Sequence, residues 1–124
     1  MDGEPSILLV DDDLKVLNVL KRALQSGGFQ VTATTSGKEA LDLLGQENFH
    51  AMVLDLNMPK PDGFEILKMA RAHAPNLKVV LISGFMQGPL LQAALLVGGA
   101  ATLAKPVVPE ELIRTVRDVL AKAD

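Results

Sequence analysis

The stretch Ile7-Leu8-Leu9-Val10-Asp11-Asp12-Asp13 sets four consecutive apolar residues against three carboxylates. A run apolar at every position, and too short for a buried helix, reads as a strand covered on both faces. Val16, Leu17, Leu20 and Leu24 then recur at helical spacing until Gly27-Gly28 stops the helix. Strand followed by helix is the unit from which the rest of the chain is built. Phe29 to Ala33 is strand-like, and Ser36 with Glu39 forms a capping-box pattern ahead of Ala40, Leu41 and Leu44. Ala51 to Leu54 is a third apolar run. It is closed by Asn57-Met58-Pro59 and a turn at Pro61-Asp62-Gly63, after which Ile66, Leu67 and Ala70 share a helical face.

Val79 to Ile82 is the fourth strand, Pro89 to Val97 the fourth helix, and Ala101 to Ala104 a weaker fifth strand. Pro109, Glu110 and Glu111 suit the first turn of a last helix, with Leu112, Val116 and Leu120 as its buried stripe and Arg114, Arg117 and Lys122 facing water. Five such pairs predict an α/β fold with a mainly parallel sheet and helices on both faces. The expected extent is one domain over residues 6–122, between a flexible tail at 1–5 and another at 123–124.

Composition narrows the chemistry. The 124 residues are 48% hydrophobic and 22% charged, ordinary usage for a globular domain. With no cysteine there is no disulfide framework, thiolate zinc site or cysteine nucleophile, and His50 and His73 are too scattered to suggest zinc. A net charge of -3 argues against direct nucleic-acid binding. The start at Met1 is acidic and has no apolar core, unlike a signal peptide. The uncharged span from Val79 to Ala104 is long enough to cross a bilayer, but Ser83-Gly84, Gly88-Pro89 and Gly98-Gly99 cut it into strand and helix lengths, so no membrane insertion is expected. No P-loop, Gly-x-Gly-x-x-Gly or Ser/His/Asp constellation is visible.

Ligands of open α/β sheets bind beyond the carboxyl ends of the strands. Four of the five strand ends are chemically loaded: Asp11-Asp12-Asp13, Asp55, Ser83-Gly84 and Lys105-Pro106. If the first and third strands are neighbours, Asp11, Asp12 and Asp55 converge, and their repulsion calls for a cation. All-oxygen donors in an acidic cleft suit Mg2+. Asp13 is read as the cap of the first helix. Acid pair, single acid, hydroxyl and lysine at one edge suit an ion and a phosphoryl group together.

These residues resemble the receiver domain of two-component response regulators, over essentially the whole chain from Ser6 to about Lys122. The resemblance rests on Ile7 to Asp13, on Val53-Leu54-Asp55-Leu56-Asn57-Met58-Pro59 with Asp62-Gly63, on Ser83-Gly84, and on Lys105-Pro106. It implies a flavodoxin-like, doubly wound, five-stranded parallel sheet in the order 2-1-3-4-5. It implies a cytoplasmic, bacterial signalling domain, not an enzyme beyond its own phosphorylation and dephosphorylation. Asp55 would be the phosphoacceptor, taking its phosphoryl group from a sensor histidine kinase or phosphotransfer protein. Asp11, Asp12, Asp55 and the backbone carbonyl of Asn57 would hold Mg2+. Lys105 and Ser83 would contact the phosphoryl oxygens, and the Lys105-Pro106 peptide would be cis.

The resemblance also places a switch at Ser83, Gly84 and Thr102. Thr102 departs from the aromatic residue usual there, and Val107 from the one that often follows Lys-Pro. The loop from Gly84 to Gly88 is glycine-rich enough to move. The apolar fourth helix, through Leu90, Leu91, Ala94 and Leu95, is expected to form a partner surface with strand five and helix five, for a downstream protein or a homodimer. The chain ends soon after its last helix, so no output domain is expected within it. Two other functions compete. One is a receiver-like binding module that works without phosphorylation. The other is a phosphotransferase of the haloacid dehalogenase type, which wants a second Asp where Asn57 stands.

Overall fold

Each apolar run becomes a strand and each periodic segment a helix in the computed structural model of the chain, which describes residues 3–59, 61–84 and 89–122. In chain order these are β1 (Ser6–Val10), α1 (Leu14–Ser26), β2 (Gln30–Thr34), α2 (Gly37–Gln46), β3 (Ala51–Asp55), α3 (Gly63–His73), β4 (Lys78–Ser83), α4 (Pro89–Val97), β5 (Ala101–Ala104) and α5 (Pro109–Ala121). All four strand pairings are parallel, and the sheet runs β2-β1-β3-β4-β5.

Alternation along the strands divides the core in two. Leu8 and Val10, with Met52, Leu54, Val79 and Leu81, pack on one face against Ala40 of α2, Ile66 and Leu67 of α3 and Leu91 of α4. Ile7 and Leu9, with Val53, Val80 and Ile82, pack on the other against Leu17 and Leu24 of α1 and Leu112 and Val116 of α5. Burial on both faces explains why the three central strands, β1, β3 and β4, carry no polar alternation, whereas the edge strand β2, Gln30-Val31-Thr32-Ala33-Thr34, does.

Local signals set the helix ends. Asp13 caps α1, its Oδ1 accepting from the amides of Lys15 (3.0 Å) and Val16 (3.3 Å). Gly28 takes φ +96° after α1, a backbone conformation costly for any residue with a Cβ. The box expected at Ser36 and Glu39 is half made: Ser36 Oγ accepts from the Glu39 amide at 3.1 Å. A complete box sits instead at α3, where Asp62 and Glu65 exchange bonds of 2.9 and 3.2 Å.

Three expectations are corrected. The buried stripe of α5 is Leu112, Val116 and Val119, with Leu120 only half-buried, because a stripe spaced by four and then three residues passes through 119. Leu91 and Ala94 do not belong to an exposed partner face: they are 5% and 0% exposed, packed in the core beside α3. Of the described leucines on α4, Leu95 (37%) and Leu96 (89%) meet solvent. The side chain of Leu90 and the loop at 85–88 lie outside the described residues. Finally, the carbonyl of Pro5 accepts from the Gln30 amide at 2.9 Å, tying the end of the expected tail to β2. Among the described residues no helix is long and apolar enough to cross a membrane, and the uncharged span is divided among β4, α4 and β5.

Candidate functional site

The sheet order puts β1 beside β3, with Val10 opposite Leu54, so the next residue of each strand, Asp11 and Asp55, emerges at the same edge. Both are fully buried, whereas Asp12 is exposed. One carboxylate oxygen from each of the three lies within 4.8 Å of the others. Across the sheet, Ser83 pairs with Ala104, and the amide of Lys105 donates to the Ser83 carbonyl at 3.0 Å, which directs the lysine back over the edge. Its Nζ lies 2.8 Å from Oδ2 of Asp55, while Oδ1 of Asp55 accepts from the Asn57 amide at 2.8 Å. The Lys105-Pro106 peptide is cis.

Charge is unevenly satisfied in this cleft. Oδ1 of Asp11 accepts from the Asp13 amide at 2.9 Å, but Oδ2 is buried with no hydrogen-bond partner among the described residues. Burial pushes the Asp11 carboxyl above the ordinary aspartate value; the Asp13 amide works against this, and the charge of Asp55 adds to it. Burial pulls the Lys105 amine down, but the bond to Asp55 and the charges of Asp55, Asp11 and Asp12 more than offset it, leaving the amine above the ordinary lysine value. An orphaned carboxylate oxygen among hard donors fits a divalent cation, and this acidic cluster could hold a metal ion.

Two contributors escaped the sequence. Gly63 opens α3 directly behind the acid: a Cβ there would strike the Asp55 carbonyl oxygen and stand 2.5 Å from Cα of Leu56. The side chain of Asn57, of which only the carbonyl was foreseen, reaches to the end of β4. Its Oδ1 accepts from Ser83 Oγ (3.4 Å) and from the Gly84 amide (3.1 Å). The signal available for Gly63 was the Asp62-Gly63 pair, which reads equally as an ordinary turn.

Thr102 is half-buried in β5, opposite Leu81. Asp13 serves as a helix cap. Beside Lys105 opens a groove of about 520 Å³ lined by Lys15, Val16, Val19 and Leu20 of α1 and by Pro106 and Val107.

The model of the response regulator receiver domain matches residues 7–117. The chain is 34% identical over 116 residues to the response regulator MprA of Mycolicibacterium vanbaalenii, covering 94% of this chain and 50% of that protein, so it spans about half of that relative. It is 34% identical over 124 residues to the two-component response regulator ORR3 of Oryza sativa, covering 98% of this chain and 95% of the rice protein. A plant relative at this distance means that family membership does not fix a bacterial source. Among solved structures, a CheY-like receiver domain protein from Methanospirillum hungatei superposes with a TM-score of 0.91 at 28% identity, over 95% of this chain and 94% of that one. The BeF3-activated DrrB receiver domain does so with 0.87 at 28%, over 96% and 99%. The likeness holds both in the residues and in the order of the strands that carry them, and on that ground the chain belongs to the response regulator receiver domain family.

Proposed function

We propose that the chain is a phosphorylation switch, in which Asp55 takes a phosphoryl group from a sensor histidine kinase or phosphotransfer protein and a protein-interaction surface changes in response. The observation that carries this reading is the convergence on the buried Asp55 carboxylate of one cation, Lys105, and two further carboxylates, one with an orphaned oxygen. Such a site stabilises charge at a developing phosphoryl group.

Asp12, Asp55 and the main-chain carbonyl of Asn57 would hold Mg2+, with Asp11 bound directly or through water. When bound, the ion supplies positive charge against the phosphoryl oxygens and keeps the carboxylates from repelling one another. An oxygen of Asp55 attacks phosphorus; an O–P bond forms as the P–N bond of the donor phosphohistidine breaks, its electron pair staying on the imidazole nitrogen. Lys105 moves its ammonium from Asp55 to the new phosphoryl oxygens, and the Ser83 hydroxyl donates to them. Attack of water on phosphorus then releases phosphate and restores the Asp55 carboxylate. The chain catalyses only this cycle on itself, within the cytoplasm.

The apolar groove along α1 opens beside Lys105 and so offers the donor a place to lay a helix next to the acceptor. On the far side Leu95 and Leu96 expose apolar surface on α4, which suits a downstream protein or a second copy of the chain at the face of α4, β5 and α5. With Thr102 in place of an aromatic ring, the signal reaches that face through the β4 end and not through a ring rotation.

Intact mass after incubation with acetyl phosphate and Mg2+ tests the reading. One added phosphoryl group is expected in the wild type, labile to hydroxylamine and missing from Asp55→Ala. No adduct from acetyl phosphate or from a phosphorylated histidine donor, in a folded protein that binds Mg2+, would overturn it in favour of a phosphorylation-independent module.

A further inference from the structure

Asn57 stands between the acid and the end of β4. Its amide donates to Oδ1 of Asp55 at 2.8 Å, while its side-chain Oδ1 accepts from the Ser83 hydroxyl at 3.4 Å and the Gly84 amide at 3.1 Å. The two donors come from residues 26 and 27 positions later, so one carboxamide ties the loop after β3 to the end of β4. Asn57 and Gly84 are exposed, whereas Ser83 is only 4% exposed, so the carboxamide reaches in from the surface to give that buried hydroxyl an acceptor.

We propose that the Asn57 carboxamide is a latch: it holds the Ser83 hydroxyl and the Gly84 amide in the resting position, and must release them before they can turn to a phosphoryl group on Asp55. This deepens the phosphoacceptor reading and rests on it. A hydroxyl proton and an amide proton each serve one strong acceptor at a time. The carboxamide is a neutral acceptor, whereas phosphoryl oxygens carry charge and accept bonds roughly twice as strong, so the donors transfer once the phosphoryl group is present. The latch therefore opposes the activated conformation and sets how far a given phosphoryl group drives it. Asn57 acts here as a positioning residue, through its side chain, distinct from the main-chain carbonyl proposed to ligate Mg2+.

The expected sign separates this from a structural role. A residue that merely supports the site would weaken phosphoryl binding when truncated; the latch predicts the opposite. The test is an amide-resolved NMR comparison of wild type, Asn57→Ala and Asn57→Asp, first with EDTA, then titrated with beryllofluoride and Mg2+. In EDTA the Gly84 amide proton should move upfield and exchange faster in Asn57→Ala, and keep its wild-type signature in Asn57→Asp, which retains an acceptor oxygen. Asn57→Ala should then bind beryllofluoride about three- to tenfold more tightly than wild type, the range expected when one or two neutral bonds no longer compete. A Gly84 amide indifferent to Asn57→Ala, or unchanged or weakened beryllofluoride binding in that variant, would overturn the latch. A wild type that binds no beryllofluoride would overturn the phosphoacceptor reading and the release step with it; the EDTA spectra read the resting bond separately.

Discussion

The Lys105 ammonium lies 2.8 Å from Oδ2 of Asp55, an ion pair closed across 50 residues of chain and across the width of β4. Among the described residues it supplies the cation facing three carboxylates that would otherwise repel one another. Lys105→Met should therefore destabilise the metal-free protein by about 1–2 kcal/mol, a charged hydrogen bond discounted for a lysine that is one-third exposed. Mg2+ should recover most of that loss, because the ion takes over the same charge, and should bind the variant more tightly than wild type. Because the amine is held above its ordinary value, the pair contributes fully below the unfolded lysine pKa of about 10.4 and is lost as pH rises through the folded value. Urea unfolding in EDTA and in Mg2+ measures this; equal stability of the two proteins in EDTA would refute it.

Asp11 gives a pH dependence of opposite origin. Its carboxyl titrates above the unfolded value because it is buried, despite the Asp13 amide, and because Asp55 is near. The folded protein thus holds this proton more firmly than the unfolded chain does. Stability from Asp11 is greatest in acid and falls as pH rises from about 3.9 through the raised folded value. Asp11→Asn removes this slope and should be more stable than wild type by roughly 1 kcal/mol at neutral pH in EDTA, on the order of 4 °C in Tm. With Mg2+ the order should reverse, since the wild type alone offers the orphaned oxygen to the ion. Melting curves across pH, with and without Mg2+, decide it: a wild type that outlasts the variant in EDTA at neutral pH contradicts the argument.

Gly63 carries a steric prediction. The first residue of α3 packs so closely behind β3 that a methyl group would collide with the Asp55 carbonyl and stand 2.5 Å from Cα of Leu56. These are main-chain atoms, so no side chain can swing aside. Gly63→Ala should cost about 2–3 kcal/mol and should weaken Mg2+ binding as well, by displacing the backbone that aims Asp55. A denaturation midpoint and Mg2+ affinity matching wild type would show that α3 can retreat freely.

These residues also show what the sequence could and could not reveal. The strand ends were legible because an apolar run stopped by a carboxylate marks both the strand and the edge where ligands bind, as at Val10-Asp11 and Leu54-Asp55. The strand order rested on resemblance, since periodicity does not say which strands are neighbours. On α4 the sequence misled: a helix apolar all round has no polar stripe to tell its buried face from its exposed one, so Leu91 and Ala94 were grouped with Leu95. The Asn57 side chain was illegible for another reason, as its partners Ser83 and Gly84 are brought to it only by the pairing of β3 with β4.

The run Asp11-Asp12-Asp13 yields a double dissociation, because adjacent carboxylates of one type have different work. Asp13 Oδ1 takes the Lys15 and Val16 amides that the first turn of α1 leaves without partners. Asp13→Ala should cost about 1 kcal/mol, the usual loss for such a cap, and leave Mg2+ affinity close to wild type, since its own amide still donates to Asp11. Asp12 is exposed, and its charge is among those that raise the Asp11 carboxyl. Asp12→Ala should therefore unfold at the same or slightly higher urea concentration in EDTA, while losing at least about tenfold in Mg2+ affinity. Calorimetric Mg2+ titration beside urea unfolding separates the two roles. If Asp13→Ala abolished Mg2+ binding while Asp12→Ala spared it, the ligand would have to come from Asp13, and the cap seen at α1 would be what the ion pulls apart when it binds.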